Sequence, residues 1–320
     1  MRKVQAYLQD STSHVLFCNS EGVSYYDYRP MVSFMAVCIM EENGKMENGY
    51  AGRSYRKGFE FMTDDVVDVI AREVVDRTAI LFKAIKPKGG EMPVVMGSGG
   101  SGILLHEAIG HAFEADFNRK DISIFAGQLN KKVCNEHINV VDDGTIPFNR
   151  GSVNFDDEGV EGQKTYIVKE GVLTSYLHDR ISAKHYGVNP TGNGRRDTFR
   201  NLPIPRMRAT YMEAGNMKEA DIISTVKNGI FVDTFTNGQV QIGAGDFTFF
   251  VKSGYLIEDG KLNPELIIGV PVGFVNVVQS KELIMHADVP YIVAKGRKGG
   301  SNIAACIVNA LLYMIDNRRD

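Results

Sequence analysis

The chain has 320 residues, of which 43% are hydrophobic and 23% charged, with a formal net charge of -3. Those values describe a globular protein of one large or two ordinary domains with a sizeable core. They exclude a chain drawn by its overall charge to nucleic acid or acidic lipid.

Elements follow from pattern in chain order. Strands are expected on either side of Ser20-Glu21-Gly22, and Asn43-Gly44 marks a second hairpin. A helix is expected over "TDDVVDVIAREVVDRTAILFKAIKP", with Thr63 as N-cap and Val67, Ile70, Val74 and Leu81 at helical spacing. Pro87 and Gly89-Gly90 end it, "MPVVM" reads as a short buried strand, and a glycine run leads into a second helix from Ile103 to about Asp116. Further strands turn at Glu170-Gly171 and near Ser253-Gly254. Between them "NMKEADIISTVKNG" reads as a capped helix ending at Asn228-Gly229. The expected fold is α+β, mainly antiparallel sheet with hairpins plus a metal-binding helix. Domain boundaries are expected at 1–88, a strand-rich region ending in a long helix, 89–262, and a tail 263–320.

Four cysteines, Cys18, Cys38, Cys134 and Cys306, occur without a C-x-x-C pair, which fits a reduced compartment. The N-terminus has no signal-peptide core, and the apolar run from Leu266 to Val278 is broken by Gly, Pro and Asn. A soluble, cytoplasmic protein without a membrane anchor is expected.

The chemistry concentrates in "GSGGSGILLHEAIGHAFEAD", Gly97 to Asp116. His106 and His111 bracket Glu107 as H-E-x-x-x-H, one residue longer than the zinc-protease H-E-x-x-H. Residues i and i+4 of an α-helix sit about 40° apart around the axis, but residues five apart diverge by about 140°. A π-bulge would restore a common face, and Gly110 would ease that distortion. His106 and His111 are then metal ligands, and Glu107 is the general base that takes a proton from water. The bland alternative is a chance spacing on an ordinary helix. "GSGGSG" lacks the Lys-Ser/Thr of a P-loop and reads better as room for a close backbone, such as an extended peptide.

"HEAIGHAFEAD", then "VVDDGTIPFNRGSVNFDDEGVEGQKTYIVKEGVLTSYLHDR", "TGNGRRD", "RMRATYMEAGN", "GDFTFF" and "GYLIEDGKL" together resemble the TldD/PmbA family, once called modulators of DNA gyrase. The resemblance runs from about Val4 to Leu262. It implies a catalytic, TldD-like zinc peptidase acting on unfolded or leader-type peptides. It also implies a homodimer or a heterodimer with a PmbA/TldE-like sister subunit. The ligands carried over are His106 and His111, with Glu107 as base. The family's third ligand is a cysteine in a C-terminal C-G-K-x-G-Q segment, which this chain lacks, and its further N-terminal domain is not found ahead of Val4. Cys306, in an apolar helical pattern, reads as a core thiol.

The candidate for the missing third ligand is Glu114, with Asp116 behind it; both also suit a role as hydrogen-bond partners behind a ligand. His178, His286 and Cys134 qualify by ligand type alone. Asp156, Asp157 and Glu158 are adjacent rather than spaced as a calcium loop requires, and suit pairing with arginine. Arg195, Arg196, Arg200, Arg206 and Arg208 suit neutralising that loop or holding a peptide's backbone or carboxylate better than binding nucleic acid. Three functions stay open from the residues: a zinc peptidase, a catalytically inactive paralogue or peptide-binding partner subunit, and a nucleic-acid-associated protein.

Overall fold

Both residues of the Asn43-Gly44 turn have positive φ, 50° and 79°. That is the geometry whose twist suits a two-residue hairpin. It joins β2 (Ser24–Glu42) to β3 (Lys45–Tyr55), and β1 (Lys3–Cys18) pairs antiparallel with the other edge of β2. The computed structural model describes residues 1–85, 87, 89–100, 102–267 and 270–272. Residues Met1–Val270 form one compact unit.

Helix α1 (Asp64–Ala79) starts where expected, Thr63 accepting the Val66 N–H through its side chain at 3.4 Å. Ile70 and Val74 are buried and pack with Ala36, Cys38 and Ala51 of β2 and β3, which covers one face of the three-stranded sheet. Each such aliphatic side chain contributes about 2 kcal/mol of burial. Val67 faces outward, and Thr78 takes the next buried position, its hydroxyl returned to the Val74 carbonyl.

The second sheet runs in the order β13 (Lys261–Ile267), β12 (Asp246–Glu258), β11 (Asn228–Gln241), β4 (Val94–Met96). Antiparallel pairing holds throughout except that β4 lies parallel to β11 at the edge. Only Val95 of β4 is buried, so this strand is half-exposed rather than a core strand. The expected turn near Ser253-Gly254 is not there. β12 passes straight through, because Gly254 leaves room for the Phe231 carbonyl and the Ser253 hydroxyl bonds Asp233; the turn falls at Asp259-Gly260. The helix expected up to Asn228 is shorter, α3 (Glu219–Ser224), and begins at Lys218 without a side-chain cap. Ser224 and Thr225 return their hydroxyls to the Asp221 and Ile222 carbonyls, and Asn228 already belongs to β11.

Four strands form the third sheet, in the order β10 (Thr210–Met212), β5 (Val140–Asp143), β6 (Lys164–Lys169), β7 (Val172–Leu173). Its Val140, Ile167 and Val168 make a core with Phe113, Leu177 and Met207. The β6–β7 turn is at Glu170-Gly171, as the sequence indicates. The α+β class with mainly antiparallel sheet is thus as expected. Among the described residues no helix is long and apolar enough to cross a membrane.

Candidate metal centre

The helix that carries the histidines changes its winding as it passes them. It opens as α2 (Gly102–Leu104), widens to a π-helical turn over Leu105–Gly110, and closes as a 3-10 turn over His111–Phe113. The π turn absorbs the extra residue of H-E-x-x-x-H and returns both rings to one face. Their centroids are 4.9 Å apart at an interplanar angle of 79°. The ligand atoms of His106, Glu107 and His111 all lie within 4.8 Å of one another, the one such cluster of three among the described residues.

Gly110 supports this turn by its size. Its φ and ψ, -56° and -51°, are ordinary helical values. A Cβ placed there would collide with the sulfur of Met207, a buried side chain. The glycines before the helix work in the same way. A Cβ on Gly97 would meet the Phe231 ring at 2.7 Å, and one on Gly100 would meet the Asp233 carbonyl at 2.9 Å. The close neighbour of these two is therefore β11 of the same chain.

After Phe113 the backbone turns extended at Glu114, φ -66° and ψ 123°, and runs beside Leu177. The Ala115 N–H donates to the Leu177 carbonyl and the Leu177 N–H to the Phe113 carbonyl, both at 3.0 Å. This fixes the Glu114 carboxylate in the interior with no solvent exposure. Its Oε2 is 3.0 Å from His111 Nδ1 and 3.2 Å from Arg206 Nη1, and its Oε1 accepts the Met207 N–H at 3.3 Å. Asp116 adds a carboxylate 3.7 Å from the same guanidinium. Glu114 lies outside the cluster, against the opposite nitrogen of His111 from the one that faces Glu107 at 4.0 Å.

The two imidazoles are electrostatically unequal. Burial, helped by the nearby His111, lowers the His106 pKa. The Glu114 hydrogen bond raises that of His111 in spite of burial. A ring nitrogen beside a carboxylate oxygen carries the proton, so neutral His111 holds its hydrogen on Nδ1 and presents the Nε2 lone pair.

The model of the PmbA/TldA metallopeptidase C-terminal domain matches residues 89–266, and that of the central domain matches residues 2–82. The chain belongs to this TldD/PmbA family. It is 43% identical over 265 residues to the metalloprotease TldD homologue of Haemophilus influenzae, covering 81% of this chain and 55% of that one. It is 32% identical over 233 residues to the zinc metalloprotease TldD homologue of Saccharolobus solfataricus, covering 72% and 52%. The chain thus spans about half the length of these curated relatives. Two solved structures share the fold. A Thermotoga maritima protein described as a modulator of DNA gyrase has TM-score 0.69 at 20% identity, covering 83% of this chain and 59% of that one. TldE from Thermococcus kodakarensis has TM-score 0.67 at 23% identity, covering 83% and 60%.

A precorrin-8X methylmutase model also matches, over residues 219–314. It overlaps the TldD/PmbA match at its start and then covers the tail in which that family's C-G-K-x-G-Q segment was expected.

The remaining polar clusters serve the loops of the TldD/PmbA fold. Asp156 accepts the Glu158, Val160 and Gly194 N–H groups, each at 2.9 Å. Arg196 binds Asp157 through both its N–H and its guanidinium, Arg208 binds the Gly192 and Gly194 carbonyls, and Arg200 lies over the Phe199 ring. His178 is buried among Tyr176 and Tyr186, and that burial pushes its pKa down to about 4. Cys134 is half-buried, its thiol pushed up by burial. Neither joins the cluster, and His286 and Cys306 lie outside the described residues. Arg206, expected with the other arginines to neutralise the acidic loop or hold a peptide, turns instead to Glu114 and Asp116, and Met207 was not singled out from the sequence. In "RMR" the adjacent Arg206 and Met207 turn to Glu114 and Gly110 and Arg208 to the loop carbonyls, a division with no local sequence signal.

Proposed function

We propose that the chain is a zinc-dependent peptidase of the TldD type acting on extended, unfolded or leader-type peptides. The observation that carries the reading is the π turn, which gathers two imidazoles and a carboxylate on one helix face. Two nitrogen donors with a carboxylate beside them suit zinc, and an Nδ1–H held by a buried carboxylate is the usual support of a ligating histidine. His106 and His111 would hold the ion, and Glu114 fixes the His111 ring from behind.

Zinc bound there supplies Lewis-acid polarisation of water and of the scissile carbonyl. Glu107 takes the proton of the attacking water as the new C–O bond forms, and returns it to the amine as the C–N bond breaks. Its side chain is 42% exposed, so water reaches it without a conformational change. Strand β4 ends at Met96, a few residues ahead of the site helix. Its outer edge has no partner strand among the described residues, and Val94 and Met96 are exposed. An extended peptide adding to that edge would run toward the helix.

The domain reading is a strand-rich region ending in a long helix over 1–88, a catalytic region of the family's C-terminal type over 89–262 and a divergent tail over 263–320; the family matches over 2–82 and 89–266 support the first of these boundaries. Pairing with a second copy or a PmbA/TldE-like sister belongs to the same reading, as does a cytoplasmic location. The described cysteines, Cys18, Cys38 and Cys134, are free thiols.

Glu107→Gln tests the mechanism. The variant should keep its metal and lose cleavage of an unstructured peptide by about 100-fold or more. Full activity would remove Glu107 as the base. Loss of the metal would make Glu107 a ligand instead, whereas peptide binding without turnover in the unaltered chain would favour the inactive-paralogue or peptide-binding alternative.

A further inference from the structure

A cavity of about 400 Å³ lies against the segment that shapes the metal centre. Five arginines line it, Arg29, Arg56, Arg150, Arg195 and Arg208, and among the described residues no carboxylate does. Two of the five are balanced from behind. Buried Asp27 pairs with Arg29 at 2.7 Å and with Arg56 at 3.3 Å, and Asp157 pairs with Arg29 at 2.9 Å. The other three form no ion pair among the described residues. Among the described residues Arg208 is bonded to two carbonyls, Arg150 only reaches the Ser54 hydroxyl at 3.4 Å, and Arg195 has no side-chain hydrogen bond. Asp142, Asp156 and Asp157 are near enough to Arg208 to favour its charge, yet burial outweighs them. A cationic cavity of this kind is best satisfied by an anion from outside, and planar guanidinium groups match a carboxylate in two-point geometry.

Position ties the cavity to the cluster. Met207 lines the cavity and also fills the space over Gly110 of the π turn. Its neighbour Arg206 holds Glu114, which holds His111. Arg195 pairs across β8 (Gly194–Arg195) and β9 (Ile204–Pro205) with Ile204, two residues before Arg206. A ligand group seated among the arginines is therefore one side chain, Met207, away from the turn that carries Glu107.

We propose that this cavity is a carboxylate subsite, in which Arg195 and Arg150 bind a carboxylate of the peptide held at His106, Glu107 and His111, with Arg208 behind them. The inference rests on the peptidase reading and adds a substrate class to it: peptides carrying a carboxylate near the scissile bond. Either the C-terminus or an Asp or Glu side chain supplies that group, and 400 Å³ has room for one such residue.

The test uses three fluorescent peptides of one neutral, unstructured sequence. The first ends in an amide, the second in a free carboxylate, and the third in an amide with one internal Gln replaced by Glu. Binding to the full chain is read by anisotropy with Glu107→Gln and with the unaltered chain in EDTA, so turnover does not interfere. The second or third peptide should bind roughly tenfold more tightly than the first, and which of them does identifies the source. The preference should vanish in an Arg150→Gln, Arg195→Gln double variant. Equal affinities, no binding at all, or a preference that survives the double variant would overturn the subsite. Cleavage of the three peptides by the unaltered chain with zinc is measured separately. Cleavage with equal affinities removes the subsite alone; a carboxylate preference without cleavage removes the peptidase reading alone.

Discussion

Oε2 of Glu114 lies 3.0 Å from Nδ1 of His111, and that carboxylate has no solvent exposure. The pair links the centre to the interior, because the same oxygen accepts Arg206 and the other accepts the Met207 N–H. His111 is thus aimed by a group that is itself held from two sides, which favours a ligand ring of fixed orientation.

Replacing Glu114 by Gln keeps the shape and removes the charge. Arg206 loses its closest counter-charge and His111 its strongest acceptor. Zinc affinity should fall by about 10- to 100-fold, and unfolding free energy by about 3 kcal/mol, as for a broken buried pair. A zinc titration followed by urea unfolding reads both. An unchanged zinc affinity would mean that His111 needs no support from behind.

Gly110 and Met207 should be coupled. Gly110→Ala places a methyl group against the Met207 sulfur and should cost about 1–3 kcal/mol, as overpacking does. Met207→Ala alone should cost about 2–5 kcal/mol through the space it leaves. In the double variant each change accommodates the other, so the loss should be smaller than the sum. Additive losses in urea unfolding would show that the two positions do not meet.

The H-E-x-x-x-H spacing illustrates what could be read from the chain and what could not. The need for a π turn followed from five-residue spacing on a helix with about 3.6 residues per turn, and the turn is where that arithmetic puts it. The reason for Gly110 could not be read so, because Met207 is almost a hundred positions away in sequence and only the folded core brings it there. Glu114 was visible as a candidate ligand because it stands three residues from His111. Its direction depends on the extended backbone beside Leu177, a tertiary contact with no local signature. The hairpins at Asn43-Gly44 and Glu170-Gly171 were legible because the turn chemistry is local. Ser253-Gly254 has similar composition, yet its glycine serves a close approach inside a strand.

His178 provides a pH signature independent of the metal. Burial lowers its folded pKa to about 4 from an ordinary value near 6.5, so the unfolded chain binds more protons between those two pH values. The stability this neutral histidine contributes is present above pH about 6.5 and is lost as the pH falls through that window, by about 3 kcal/mol at pH 4. His178→Gln lacks this titration. The difference in unfolding free energy between the unaltered chain and the variant should therefore move by that amount, against the unaltered chain, from pH 7 to pH 4. A constant difference would contradict a buried, neutral His178.

The central claim is that His106 and His111 share one metal ion across a π turn. Elemental analysis of the purified full chain, beside His106→Ala and His111→Ala, tests it most directly. The account predicts about one zinc per chain, lost in each variant while the fold is retained by circular dichroism. A metal-free unaltered chain after zinc loading, or full zinc occupancy in either variant, would contradict it.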